Sequence, residues 1–394
     1  MTIDETRIGE FRLAHGGPFF ALQRQLGLLR EDAFRAGYRA ALFVGLAWGG
    51  PLVLSLLAGN AYGPPEEYPY LLELGVWARF FIAVGLFVLM ERQVEERLST
   101  YLGHFARAPL LAPNSFEAAA VAVTRALRQR NARTAEAICL AIAILITSAT
   151  LLRFLDAESA SWAVHISQEQ NTLTAAGWWC ILVSNPLFWF LLLRWLWRLF
   201  VWSTLLRKLA ALELRLTATH PDGHGGLAFI GEYPNAFTTF VFAVSCVLGA
   251  ALAQALLVRD VTATTYGFVM GGWLLIVLLL FVYSLIAFRK PLNALKERTL
   301  LACGALATRH YRAAERELLG RNISAAEDAE PTAADDVPDP SKALTAAGKL
   351  SVFLVSRSAL VPVSAAALLP LVAAGATQLP IKELLGVMKR LLLL

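Results

Sequence analysis

Residues 177–202 read GWWCILVSNPLFWFLLLRWLWRLFVW, and the only charges among them are Arg194 and Arg198. About 20 apolar residues span a hydrocarbon core of ~30 Å, so this stretch crosses a bilayer as a helix. Trp178 and Trp179 open it; Trp195, Trp197 and Trp202 close it. From Trp178 to Trp202 is 24 residues, or ~36 Å at 1.5 Å per residue, which matches the separation of the two aromatic belts of a membrane. Pro186 removes a backbone donor in mid-span and predicts a kink. Asn185 beside it is a candidate to satisfy the freed carbonyl or to bond a neighbouring helix.

Working outward, five more runs have the same character: 40–58, 76–90, 135–152, 237–258 and 267–288. The second is the shortest, with Arg79 near its start. A further run, 359–377, is rich in alanine and interrupted by Pro362 and Pro370; it reads as a seventh span or a re-entrant segment. Of the 394 residues, 57% are hydrophobic and 16% charged, against roughly 25% charged in soluble domains. With a mean hydropathy of +0.55, these figures exclude a disordered chain and argue against an ordinary soluble enzyme. The first span reads as retained rather than as a cleaved signal, since a long polar stretch precedes it. Cys139, Cys180 and Cys246 fall inside spans and Cys303 in a basic segment, so no structural disulfide is expected.

The bases alternate with the spans. Arg7, Arg12, Arg24, Arg30, Arg35 and Arg39 precede the first. Arg92, Arg97, Arg107, Arg125, Arg128, Arg130 and Arg133 lie in 91–134, and Arg207, Lys208 and Arg215 in 203–236. The 60–75 loop has no base but carries Glu66, Glu67 and Glu73; the 154–175 loop also has none, and the loop after the fifth span has Arg259 alone. Positive segments stay cytoplasmic, which predicts a multi-pass membrane protein with a cytoplasmic N-terminus. The pI of 9.1 then reflects orientation against anionic lipid rather than nucleic-acid binding.

The expected organisation is an all-α integral membrane protein with six or seven transmembrane helices. It comprises an N-terminal segment 1–39, a six-span core 40–288 with a helical insert 91–134 and a loop 203–236, cytoplasmic helices 289–358, and 359–394 as the last span or re-entrant segment plus an amphipathic tail. Residues 116–134 and 292–320 pattern as amphipathic helices, the former with Ser115 as N-cap. Residues 321–340, with six acids and three prolines, pattern as a flexible acidic linker. Gly267 and Gly271, and likewise Ser245, Gly249 and Ala253, form small-residue packing faces.

Arg194 and Arg198, four apart, share a helix face. They either snorkel to headgroups or face an anion or an acidic partner inside the bundle. With Asn185 and Gln254 they are the candidate ligand- or ion-binding residues. Gln254, deep in the fifth span, reads first as a helix–helix contact. Glu91-Arg92 reads as the end of the second span, and Arg153 with Asp156 as an outer ion pair. His220, Asp222 and His224 place three potential metal ligands at alternate positions of HPDGHGG, although a Pro/Gly turn organised by Asp222 explains the same residues. A phosphate-binding glycine loop, a nucleophile elbow, a haem-attachment motif and an arginine ladder are all absent from the sequence.

Three stretches, GGPFFALQRQLGLL near the start, FLLLRWLWRLFVW in the fourth span and HPDGHGGLAFIG after it, together resemble an uncharacterised family of bacterial multi-pass inner-membrane proteins. The resemblance covers most of the chain, implies localisation but no activity, and gives weight to residues 194–231 as a unit, with His220, Asp222 and the glycine pair at its centre. The leading functional expectation is a channel or transporter for a small solute, with an anion as the natural ligand for the arginine pair, assembled as a homo-oligomer in the lipid bilayer without nucleic acid. The alternatives are a membrane-bound metal-dependent enzyme built on the His220–His224 loop, with a divalent metal as its cofactor, and a membrane scaffold or sensor.

Overall fold

The computed structural model of the chain describes residues 11–28, 35–64, 68–156, 161–166, 171–258, 262–324 and 339–393. Arg7, Arg30, Glu66, Glu67, Arg259 and the linker from 325 to 338 lie outside the described residues. In chain order the helices are α1 (Pro18–Gln25), α2 (Ala36–Leu57), α3 (Leu74–Phe105), α4 (Phe116–Arg130), α5 (Arg133–Leu155), α6 (Ala175–Ala210), α7 (Ala228–Leu257), α8 (Ala263–Leu319), α9 (Ser341–Lys349), α10 (Arg357–Gly375) and α11 (Ile381–Leu393). Strands β1 (Val164–His165) and β2 (Thr172–Leu173) pair antiparallel in one loop. Among the described residues seven helices, α2, α3, α5, α6, α7, α8 and α10, are long and apolar enough to cross a membrane. The chain is an all-α, multi-pass membrane protein.

The polar segments sort to opposite ends of the bundle. At one end the Ala112 N–H donates to Glu213 O (3.1 Å), Arg97 to Asn235 O (3.0 Å) and the Ser351 N–H to Gly223 O (2.9 Å). Segments 91–134, 203–236 and 289–358 therefore meet at a basic end. At the other, acidic end the Trp162 N–H donates to Tyr68 O (3.3 Å), and the Trp162 indole to Glu73.

α10 settles the span count at seven. Near its start the Ser356 and Ser358 hydroxyls donate to Glu232 at the basic end (2.7 and 2.5 Å). Near its close Leu371 O accepts from the Tyr266 hydroxyl (2.7 Å) at the first turn of α8, at the acidic end. The helix continues through Pro362 and Pro370, so the segment traverses the bundle rather than re-entering. Gly249 of the small-residue face lies against Pro370, and Gly267 and Gly271 lie against Val387 and Leu391 of α11. The tail thus folds back along α8 from the acidic end.

Three other expectations change. The second run does not end at Glu91. α3 has 32 residues, and Glu91 and Glu95, four apart on it, both face the bundle interior. Ser115 sits at the N-cap position of α4, but its side chain makes no capping bond. Arg153 and Asp156 do not pair; Asp156 lies just past the last turn of α5. α8 continues the sixth span for 57 residues, ~85 Å, and its half from Arg289 onward carries α9 alongside through a Lys296 bond to Leu350 O (3.0 Å). All four cysteines are free.

In the acidic half of the bundle three spans contain π-helical turns: Gly45–Gly49 in α2, Trp77–Ala83 in α3 and Cys180–Ser184 in α6. The first has a visible cause. Pro51 has no N–H to offer Ala47 O in an α turn or Leu46 O in a π turn. Carbonyls left open in a bilayer need other donors, and here α6 supplies them. Trp179 Nε1 donates to Leu46 O (2.8 Å) and the Ser184 hydroxyl to Ala47 O (2.7 Å). The Tyr70 hydroxyl serves Trp48 O (2.7 Å). Gly50 is required for this, since a Cβ there would collide with the Trp179 indole. Ser184→Ala and Tyr70→Phe are each expected to lower the stability of the detergent-solubilised protein by about 1 kcal/mol, read from unfolding in mixed micelles. Unchanged unfolding curves would show that these caps contribute nothing.

Candidate functional site

Arg194 and Arg198 do not snorkel. With Arg39, Glu91, Glu95 and Glu136 they form an interior cluster in which no member is more than 7% exposed. Four spans contribute: Arg39 from α2, Glu91 and Glu95 from α3, Glu136 from α5, and the arginine pair from α6. Glu91 is the hub. One carboxylate oxygen accepts from Arg39 (2.7 Å), and the other from Arg194 (3.3 Å) and Arg198 (3.1 Å). Arg194 Nε donates to Glu136 (3.0 Å), and Arg39 Nε to Gln23 Oε1 (2.6 Å).

The cluster also grips the chain ahead of the first span. Arg198 donates to Ala14 O (2.6 Å) and Arg194 to Gly16 O (3.3 Å). Glu136 accepts the Phe19 N–H (2.7 Å), and Glu95 accepts the Ala14 N–H. Arg130 donates to Arg12 O. Gly16 and Gly17 have φ of +105° and +91°, a conformation open to glycine that turns the backbone carbonyls and amides toward the charges. Phe19 packs under the Arg194 guanidinium (5.2 Å) and edge-on to Phe190 (5.0 Å), while Phe11 meets Trp202 (5.8 Å). Residues 11–20 are therefore bound through their main chain, as a peptide ligand would be. The structure brings GGPFF and RWLWR into contact, two of the stretches that carried the family resemblance.

Asn185 lies elsewhere. It lines a cavity of about 440 Å³ in the acidic half of the bundle, walled by α3, α5, α6 and Trp162, with Glu73, Arg79, Arg153, Phe80, Cys180 and Trp189 among its lining. Asn185 is 1% exposed. Its amide nitrogen reaches Cys180 Sγ (3.4 Å), and its Oδ1 has no hydrogen-bond partner. Arg79 is half-buried and Arg153 exposed. Neither is ion-paired among the described residues. Gln254 is half-buried on α7, on none of these surfaces.

His220, Asp222 and His224 form a self-contained turn. The Asp222 carboxylate accepts backbone N–H bonds from His224 (2.9 Å), Gly226 (3.1 Å) and Ala228 (3.0 Å) and pairs with His220 Nδ1 (2.8 Å). His224 Nδ1 is turned to Asp222 O (2.8 Å). Internal bonds thus occupy both carboxylate oxygens and one nitrogen of each ring. Among the described residues no group of three or more His, Cys, Asp or Glu side chains has the arrangement of a metal site. Burial pushes the Asp222 carboxyl up, but the three backbone donors and His220 outweigh it and hold it below its ordinary value.

No family model matches the chain, and neither a curated protein nor a solved structure matches it.

Sequence reasoning did not place Arg39, Glu91, Glu95 and Glu136 in one cluster with the arginine pair. Arg39 and Glu136 lie within a turn of a helix start, and Glu91 and Glu95 lie just past the apolar run 76–90, where a charge reads as interfacial; the pattern i, i+4 shared by Glu91/Glu95 and Arg194/Arg198 was the available signal. Breaking one member of such a cluster leaves a buried charge without its partner. Glu91→Ala is expected to cost about 3–5 kcal/mol, and Glu91→Ala with Arg198→Ala less than the sum of the two single changes. A double-mutant cycle on detergent unfolding checks this; strict additivity would dissolve the hub. The Asp222 turn has a pH signature. A lowered carboxyl contributes stability that is present above its ordinary value of 3.8 and is lost as pH falls through the lower folded value. Protection of the 220–228 loop from acid protease is expected to hold at pH 5, to fall progressively below about pH 4, and to lose that dependence in Asp222→Asn.

Proposed function

We propose that the protein is a carrier- or channel-type membrane protein for a small anionic solute, set in a bacterial inner membrane with its basic end in the cytoplasm. One observation carries this reading: a cavity lined by Glu73, Arg79, Arg153 and Asn185 lies in the acidic half of the bundle, and a buried charge cluster lies further along α6 toward the basic end. Both features lie along α6. From Asn185 to Arg194 is nine residues, ~13 Å of helix rise. Between them Phe188 of α6 packs against Phe87 (6.2 Å), which in turn meets Phe240 (5.7 Å).

The cluster has the make-up of a gate. Interior charges are kept in a bilayer where they serve pathways or switches, and this cluster is completed by a segment that belongs to no span. When residues 11–20 leave, Arg194, Arg198, Glu95 and Glu136 each lose a main-chain partner and face the basic end. Sites near the membrane midplane flanked by broken helices are a recurring carrier design, and two of the helices that wall this cavity, α3 and α6, carry π turns. The basic end being cytoplasmic follows from the distribution of arginine and lysine.

The test is reconstitution into liposomes with gradients of small carboxylates and phosphates. Saturable uptake above that of protein-free liposomes is expected. A variant lacking residues 1–20 is expected to change the rate at least several-fold without changing oligomer size. Uptake equal to that of empty liposomes, for both forms and every solute, overturns the reading.

A further inference from the structure

We infer that the acidic-end cavity binds a small carboxylate or phosphate that also carries a hydroxyl or ammonium donor. The inference names the substrate class of the carrier proposed above and rests on that reading only for what happens to the ligand after it binds.

The argument comes from hydrogen-bonding capacity left unspent. Arg194 and Arg198 commit donors to carboxylates and backbone carbonyls, so they have little left for an incoming anion. Arg79 and Arg153 line the cavity with no ion pair among the described residues. Guanidinium is the group best matched to planar carboxylate and to phosphate oxygens. Opposite in character is Asn185. Its Oδ1 is buried and accepts nothing from the protein, and the residue lines the same cavity. An unpaired buried amide oxygen is costly, and a ligand O–H or N–H removes the cost. A bare anion such as acetate satisfies only the arginines, and a neutral alcohol only the asparagine. A molecule with both groups satisfies the two together.

Charge and walls agree. Arg79, Arg153 and Glu73 sum to one positive charge, which suits a monoanion, or a zwitterion with its ammonium toward Glu73 and Asn185. Phe80, Trp162, Trp189, Val76 and Ile146 give the remaining wall an apolar, aromatic surface, and the volume is of the size that small ligands occupy. The same chemistry reaches the cavity as a free hydroxy acid, or as the headgroup of a lipid such as phosphatidylglycerol from the leaflet beside α5.

The experiment is titration calorimetry on the full chain in phosphatidylcholine nanodiscs with lactate, glycerol 3-phosphate and acetate, and thermal unfolding in nanodiscs with and without phosphatidylglycerol. A soluble source is supported if lactate or glycerol 3-phosphate binds at least tenfold more tightly than acetate. A lipid source is supported if only phosphatidylglycerol raises the unfolding temperature. Either effect is expected to fall about tenfold, or to vanish, in Arg153→Ala, an exposed position whose replacement leaves the fold intact. Asn185→Ala is expected to abolish the preference for lactate over acetate while leaving acetate binding unchanged. The inference is overturned if no probe binds and phosphatidylglycerol has no effect, or if binding survives both substitutions unaltered. Binding without liposome uptake defeats the carrier reading and leaves the site standing. Uptake that Arg153→Ala and Asn185→Ala both leave unchanged defeats the site and leaves the carrier standing.

Discussion

The arrangement of the basic half of the bundle depends on one carboxylate. Glu91 accepts from three guanidiniums, Arg39, Arg194 and Arg198, in an interior from which water is excluded. An isolated ion there is prohibitively expensive, and even a pair must be completed by further hydrogen bonds to be tolerated. The cluster meets this condition by recruiting backbone. Three arginines face three glutamates, and the donors and acceptors left over are taken up by Ala14, Gly16 and Phe19. A segment that belongs to no span is thereby fixed against the interior faces of the spans. Removing it leaves four buried charges under-satisfied at once, which makes its attachment cooperative with the packing of α2, α3, α5 and α6.

A second constraint governs the acidic half. Helices cross membranes because they satisfy their own backbone, and prolines spoil that economy at fixed positions. Pro51 deprives two consecutive carbonyls, and the fold answers with an indole and a hydroxyl from α6, at Trp179 and Ser184. The repair welds α2 to α6. It leaves the π turns of α2, α3 and α6 side by side, wider than α turns, and the cavity forms next to them. Both halves are thus held by side chains serving backbone groups across helices, with ionised donors and acceptors at one end and neutral ones at the other.

The spans were legible in the sequence because bilayer thickness imposes a length on every apolar run, and each run falls on one of the seven helices, although α3, α6, α7 and α8 extend well beyond their runs. The sorting of polar segments to two ends was legible for a similar reason, since the bases alternate with the spans. What stayed hidden depends on angular position about a helix. Nothing in the order of residues shows that Glu136, one turn into α5, faces Arg194 rather than headgroups, or that Glu91 is mid-helix rather than terminal. The proline-rich run 359–377 was ambiguous because composition cannot distinguish a helix bent by Pro362 and Pro370 from one broken by them. The packing of Tyr266 and Glu232 at its two ends resolves it.

Ranking the arginines by burial puts Arg39, Arg198 and Arg194 first, and physical chemistry explains why depth is a poor guide to a ligand site. The further a charge lies from water, the more completely the protein must satisfy it in the absence of ligand, because an unsatisfied charge there would prevent folding. The deepest charges in a stable bundle are consequently those with the least capacity left to bind anything else. Groups that recognise a ligand need the opposite balance. They must be shielded enough for their interactions to count, yet solvated enough to stand unpaired while the site is empty. Half-buried Arg79 and exposed Arg153 meet that condition. Asn185 tolerates full burial because it is neutral, and an unpaired amide oxygen costs far less than an unpaired charge. The contrast between the two ends of α6 follows: the ionised groups that lie deepest are paired within the protein, and the arginines that stand without an ion pair among the described residues, Arg79 and Arg153, are the less buried ones.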